Sequence, residues 1–287
     1  MEIARDGRGT TTIGGTTFVW GQRTYIMGVI NMTPDSFSGD GLARDVNAAV
    51  QLALQLQERG ADIIDVGGES TRSYRAYPGA SPTSLGEELS RVVPAIEALA
   101  QAVDVPISVD TYKGEVAEAA LAAGASLIND VWGLKRDPRV ARVAADAGVP
   151  VVLMHNQDHM CYRDVVSDVI AALHRITAYA VQEGIARENI ILDPGIGFGK
   201  THMHNLEILR NLDRFAVLEN PLLIGTSRKS TIGSVLDLPV DERIEGTAAT
   251  VALSIAKGAD IVRVHDVTEM VRVTRMSDAI VRGPRST

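Results

Sequence analysis

The sequence predicts an α/β protein, a (β/α)8 TIM barrel forming one domain behind a short N-terminal arm. Two patterns and one global property predict it. Short apolar, β-branched runs recur eight times, each too short for a helix and bounded by polar or turn-forming residues. Each run ends on a polar side chain, after which come a loop and a helical pattern, the order of successive βα units. The 287-residue chain is 45% hydrophobic but only 4% aromatic, as expected when many strands are buried on both faces by aliphatic side chains. An open doubly wound sheet usually has fewer units and a glycine fingerprint in its first turn, and no such fingerprint stands here.

Residues 1–23 read as a polar arm with a short hairpin at Gly14-Gly15, capping the bottom of a barrel that spans 24–276. Residues 277–287 finish the last helix and form a tail. The first strand, Tyr25 to Ile30, stops at Asn31, and Thr33-Pro34-Asp35-Ser36 begins a loop. Asp45 is placed to cap a helix whose apolar residues are Val46, Val50, Leu54 and Leu56. Strand two, Asp62 to Val66, leads into Gly67-Gly68-Glu69-Ser70-Thr71-Arg72 and a loop to Leu85, and a helix follows from Glu87 to Val103. Strand three is Pro106 to Val109 with Asp110 at its end. A helix from Lys113 to Ala123 stops at Gly124. Strand four (Ser126 to Ile128) ends at Asn129-Asp130, and strand five (Pro150 to Met154) at His155. Strand six (Asn189 to Leu192) ends at Asp193-Pro194-Gly195, and strand seven (Pro221 to Gly225) at Ser227-Arg228-Lys229. Strand eight (Asp260 to Val264) contains Arg263 and meets His265-Asp266, and a last helix covers Thr268 to Ile280.

Composition also narrows the partners. A net charge of −8 argues against nucleic acid or an anionic membrane. The single cysteine, Cys161, has no internal disulfide partner, which suits a reducing compartment. No run is long enough to span a bilayer and the N-terminus has no apolar signal core, so the expectation is a soluble cytoplasmic protein.

Barrel chemistry sits at the C-terminal ends of the strands. Collecting those positions gives Asn31, Thr71, Arg72, Asp110, Asn129, His155, Asp193, Ser227, Arg228, Lys229, Arg263 and His265. Any one of them has a plain reading as a turn or helix cap; their convergence on one mouth is the signal. Asp110, Asn129 and Asp193 form an acceptor-rich side, suited to a ligand edge with paired N–H donors such as that of a guanine or pterin ring. Arg72, Arg228, Lys229, Arg263 and His265 form a cationic side, mostly on strands seven and eight, where barrels often hold phosphate. Asn31 offers an oxygen to Mg²⁺, which keeps several waters and shares phosphate oxygens. The expected ligand is a heterocycle carrying a phosphate ester or diphosphate.

Two other motifs do not carry their usual chemistry. Gly195-Ile196-Gly197-Phe198-Gly199-Lys200-Thr201 looks like a phosphate-binding loop, but only three residues separate Gly195 from Gly199 and Pro194 occupies the required glycine position. His155, His159 and Cys161, with His202 and His204, match no zinc spacing. His159, Met160 and Cys161 read as a loop before the fifth helix.

The stretches GVINMTPDSFSGDG, DIIDVGGESTR, SVDTYK, LINDVWG, LMHNQ, ILDPGIGFGK, IGTSRKSTIG and IVRVHDV run in order from Tyr25 to about Met276 and together resemble the dihydropteroate synthases of folate biosynthesis. The resemblance implies a barrel, commonly a homodimer and a sulfonamide target, that joins 4-aminobenzoate to 6-hydroxymethyl-7,8-dihydropterin diphosphate with Mg²⁺. It implies Asn31 as the Mg²⁺ and diphosphate residue, and Arg263 and His265 as anchors of the leaving diphosphate. It further implies Asp110, Asn129, Asp193 and Lys229 as pterin ligands with Met154 lining the pocket, Thr71 shared by both substrates, and Arg72, Phe198 and Ser227 around the aminobenzoate. Asn31, Asp110, Lys229, Arg263 and His265 are the expected catalytic set, with residues 31–41 and 68–84 closing over the reaction. In the family Pro-Gly commonly follows Ser-Thr-Arg directly; here Ser73-Tyr74-Arg75-Ala76-Tyr77 intervenes. Two rivals are a methyltetrahydrofolate-type methyltransferase, which needs no diphosphate clamp, and a non-catalytic pterin-binding paralogue, which should have lost charged members of the ring.

Overall fold

A computed structural model describes residues 9–33, 42, 45–69 and 83–283. The expected positions Thr71 and Arg72, and most of the two loops expected to close, lie outside the described residues. Strands β1 (Thr10–Ile13) and β2 (Thr16–Val19) form the anticipated antiparallel hairpin. Eight parallel strands follow: β3 (Tyr25–Asn31), β4 (Ile63–Gly67), β5 (Ile107–Asp110), β6 (Leu127–Asp130), β7 (Val151–Met154), β8 (Ile190–Asp193), β9 (Leu223–Ile224) and β10 (Ile261–Val264). They pair in chain order from β3 to β8, and β10 lies between β3 and β9. The ring closes from β8 to β9 through a single parallel bridge, Leu192 to Leu222, with Leu192 N donating to Pro221 O at 2.9 Å. Strand β9 is shorter than its apolar run, and the rest of Pro221 to Gly225 continues as irregular chain.

Helices α1 (Val46–Glu58), α2 (Leu85–Ala102), α3 (Gly114–Ala122), α4 (Arg139–Ala147), α5 (Val165–Gln182), α6 (His202–Arg210), α7 (Ser230–Leu236), α8 (Ile244–Ala256) and α9 (Val267–Arg282) surround the strands. Their starts follow local chemistry. Asp45, Ser84 and Asp164 accept from the backbone N–H of Ala48, Glu87 and Ser167, each satisfying a donor the first turn leaves open. In α1 the buried face is Ala49, Ala53 and Leu56, while Leu54 is exposed, so the expected stripe of larger side chains is corrected. Small residues win there because the helix packs close to the sheet.

The strands' alternation builds two separate cores. Outward side chains such as Ile30, Ile64, Val109, Ile128 and Leu153 join helix residues such as Val92, Ile96, Leu99 and Leu173 in the large outer core. Inward side chains form a second cluster: Tyr25, Met27, Ile63, Leu127, Val152, Ile191, Leu223 and Ile261, closed from below by Ile13, Phe18 and Trp20 of the arm. Each fully buried side chain of this size contributes about 2 kcal/mol by removal from water. The hairpin is therefore a stopper for the barrel's lower end.

Candidate active site

On β4, β6, β8 and β10 one step of two residues converts that apolar floor into a polar layer, joined on β7 by a methionine. Above Ile63 stands Asp65, above Leu127 Asn129, above Val152 Met154, above Ile191 Asp193, and above Ile261 Arg263. Asp110 stands two residues above Ser108 in the same way. The pocket over this layer measures about 430 Å³, counted to its open rim, and is lined by Asp110, Asn129, Met154, Asp193, Lys229 and Arg263, with Phe198, Ser227 and His265 at its sides. A wider groove between α5 and the turn at 212–218 is lined almost wholly by exposed side chains. The chemistry belongs to the smaller pocket, where buried groups of both signs converge.

Arg263 organises its charge. Its Nε donates to Asp65 Oδ2 at 2.6 Å and its Nη2 to Asp110 Oδ2 at 2.8 Å, tying three strands together across the barrel. Asp65 also accepts from Asn129 Nδ2 at 3.1 Å. Burial pushes the Asp110 carboxyl up to about 8, against the pull of Arg263 and with a further push from Asp65. Asp193 is likewise raised, mainly by burial. Burial lowers the Lys229 ammonium to about 8, and the charge of Asp193 partly offsets this. Burial also works against the Arg263 guanidinium, but Asp65 and Asp110 outweigh it and hold that group above its usual value. The outer oxygen of Asp110, Oδ1, is buried with no hydrogen-bond partner among the described residues. An unmatched buried acceptor costs about 1–3 kcal/mol, which a ligand donor would recover.

Lys229 is held from the other side by the Asp193–Thr201 loop. Its Nζ donates to Ile196 O and lies 4.7 Å from the centre of the Phe198 ring. This loop needs its glycines: Gly195 has φ +72, and a Cβ there would meet His155 O at 1.9 Å. The loop is pinned from beneath by Lys200, whose buried Nζ donates to Gly195 O and Phe198 O, both at 3.0 Å, and meets His155 Nδ1 at 2.9 Å. Lys200 thus faces the protein and not a phosphate, in keeping with the defective loop spacing.

Two expected members leave the ring. His155 lies under the loop against Lys200, and burial together with that lysine drives its imidazole down to about 2. Arg228, at φ +56, turns its guanidinium to Asp266, with Nε to Oδ2 at 3.0 Å. Ser227 stays in the pocket wall, but its Oγ is engaged by His265, at 3.2 Å from the backbone N and 2.9 Å from Nδ1. It braces His265, which lines the cleft. Asn31 ends β3 half-buried at the mouth. Among the described residues no three His, Cys, Asp or Glu side chains gather as a metal cage. One amide oxygen at the rim fits a hard Mg²⁺ ion that takes its other oxygens from water and a diphosphate.

Asp65 and Lys200 were missed by sequence reasoning. Asp65 shares the alternation phase of Ile63, and that phase was the available signal. Lys200 carried none beyond its place after a glycine-rich loop.

Residues 27–265 match the model of the pterin-binding enzymes. The dihydropteroate synthase of Clostridium beijerinckii is 53% identical over 271 residues, covering 94% of this chain and 99% of that protein. The solved dihydropteroate synthase of Clostridium difficile, determined in the presence of pteroic acid, superposes with a TM-score of 0.86 at 48% identity, over 92% of this chain and 99% of that one. That of Xanthomonas albilineans with 4-aminobenzoic acid gives 0.87 at 42% identity, over 94% and 97%. With the barrel, the divided pocket and these likenesses together, the chain belongs to the dihydropteroate synthase family of pterin-binding enzymes.

Proposed function

We propose that this enzyme joins 4-aminobenzoate to 6-hydroxymethyl-7,8-dihydropterin diphosphate, forming 7,8-dihydropteroate and releasing diphosphate. The observation that carries this reading is the pocket's division: Asp110, Asn129 and Asp193 face Lys229, Arg263 and His265 across one cleft. A pterin edge with N–H donors suits the first group, and an anionic leaving group suits the second. The pteroic acid and 4-aminobenzoic acid of the related structures support the same pair of substrates.

The reaction forms one C–N bond and breaks one C–O bond at the pterin methylene. The diphosphate leaves with the C–O electron pair, and the amine sheds its proton to solvent. An arylamine is neutral at pH 7 and needs no strong base, so the work lies in departure of the diphosphate. Arg263 Nη1, which has no hydrogen bond among the described residues, and His265 are available to take the charge growing on the departing oxygens. Asp110 and Asp193, in their ionised forms, stabilise the positive charge left on the dihydropterin, and that cation in turn favours their ionisation. We favour a dissociative order in which this cation precedes attack. Phe198 and Lys229 form the wall against which the aminobenzoate stacks, with Ser227 behind His265. Mg²⁺, held by Asn31 and the substrate's phosphate oxygens, would supply further neutralisation of the leaving group.

We further propose a cytoplasmic homodimer. Met203, Val235, Leu236 and Leu253 stand exposed on α6, α7 and α8, an apolar face suited to a second copy. No helix among the described residues is long and apolar enough to cross a membrane.

The deciding assay follows diphosphate and dihydropteroate together, with Mg²⁺, in the presence and absence of 4-aminobenzoate. Equal amounts of both products in its presence are expected. Pterin binding with neither product would replace the synthase by a silent pterin binder.

A further inference from the structure

Asp65 is fully buried and lies outside the pocket lining, yet two lining residues end on it. Its Oδ2 accepts from Asn129 Nδ2 at 3.1 Å and from Arg263 Nε at 2.6 Å. We propose that Asp65 is a positioning residue that locks the Asn129 amide in one of its two orientations, presenting Oδ1 to the pocket as an acceptor for a ligand N–H. The inference rests on the pterin reading of the pocket given above.

The physical basis is the one-way character of a carboxylate. An asparagine amide has a donor end and an acceptor end of nearly the same shape, and its neighbours decide which way it points. An ionised carboxylate only accepts, so the amide end facing Asp65 must be Nδ2. Arg263, which can only donate and is itself pinned by Asp110 at 2.8 Å, points at the same oxygen and keeps it an acceptor. The opposite end, Asn129 Oδ1, accepts no hydrogen bond from the described residues, and Asn129 lines the cleft with Asp110 and Asp193. Three acceptors therefore line one wall, although only two of them carry a carboxylate. A flipped amide would set a donor against the N–H edge of the ligand, and a donor facing a donor leaves both unpaired.

Both bonds fall on one oxygen, so a variant that tests the lock must remove that oxygen. Asp65→Leu does so and frees the Asn129 amide to turn. Asn129→Asp in that background restores the pattern, because a carboxylate at 129 offers the pocket an acceptor in either orientation. The second substitution returns nothing to Arg263, which keeps its bond to Asp110 throughout, so the recovery reads the amide alone.

The test is calorimetric binding of 6-hydroxymethylpterin and, separately, of inorganic diphosphate with Mg²⁺ to the full-length protein. For Asp65→Leu we expect pterin affinity to fall by at least about tenfold. Adding Asn129→Asp should recover pterin affinity to within about threefold of the parent and leave diphosphate affinity where the single variant set it. If Asp65→Leu does not fold, Asp65→Ala with and without Asn129→Asp carries the same decision. Unchanged pterin affinity in the single variant, or no recovery in the double variant, would overturn the inference. Failure of the parent protein to bind the pterin would overturn the pterin reading itself, before any variant is compared.

Discussion

The lower and upper layers of the barrel interior are made by the same strands, two residues apart, and they obey opposite rules. Below, Met27, Ile63, Leu127 and Ile191 fill space over a hairpin stopper, where the Phe18 and Tyr25 rings pack at a tilt with centroids 4.7 Å apart. Above, Asp110, Asp193 and Lys229 are buried groups whose pairing offsets only part of their desolvation, while Asp65 and Asp110 hold Arg263 in its charged form. The lower layer stabilises the fold and recognises nothing. The upper layer is held in place by the fold, and burial there pushes Asp110, Asp193 and Lys229 toward their neutral forms. Stability and chemistry are thus segregated by height in a single barrel, so substitutions in the two layers should fail in different ways.

The largest separation is expected at Lys229. Lys229→Met removes a buried ammonium next to Asp193, and kcat/KM should fall by about 10²–10³-fold with no loss of melting temperature. Steady-state rates with a parallel thermal melt check this; a variant retaining a third of its activity would take Lys229 out of the upper layer's function. Phe18→Ala is the converse. It should lower stability by about 3–5 kcal/mol while leaving both KM values within about twofold. Denaturant unfolding read beside kinetics tests it, and a selective rise in KM would show that the floor communicates with the site.

The loop beneath the site gives a pH signature. Lys200 is lowered from 10.5 to about 7 by burial. Between those values the unfolded chain holds a proton that the native chain has released, so this group makes stability rise with pH from about 7 toward 10. His155, lowered from 6.5 to about 2, acts in the same sense on the acid side: stability falls as pH drops below 6.5. Lys200→Met should therefore flatten the difference between urea midpoints at pH 7 and pH 9 relative to the parent. An unaltered difference would mean that Lys200 keeps its proton in the native loop. The smallest effect is expected at Thr11 in the stopper, whose Oγ1 accepts from Trp20 Nε1 at 2.9 Å and donates to Glu188 O at 2.5 Å. Thr11→Val should lower stability by about 1–2 kcal/mol and leave catalysis alone.

Most of this layering was legible in the residues. Asp110, Asn129 and Asp193 each end an apolar run, and their placement on the acceptor wall follows from strand alternation alone. His155 was misjudged by the same evidence: it stands one residue beyond Met154, so its phase carries it away from the axis and under the loop. Arg228 lies past the end of β9, where no alternation applies, and its left-handed backbone turns it toward Asp266. Asp65 was hidden because a carboxylate in the middle of an apolar run has no local partner. Arg263, which neutralises it, is 198 residues away.

By itself the sequence determined the periodicities: eight strands, their helices, the stopper hairpin and which residues reach the strand ends. These are local consequences of side-chain size, branching and turn chemistry. Only the tertiary structure decided which charges meet. Closing the barrel brings β4, β5, β6 and β10 onto one axis, and there Arg263 acquires two carboxylates and Asn129 a carboxylate that can orient it. Pairing across an axis depends on distance in space, for which spacing along the chain carries no term.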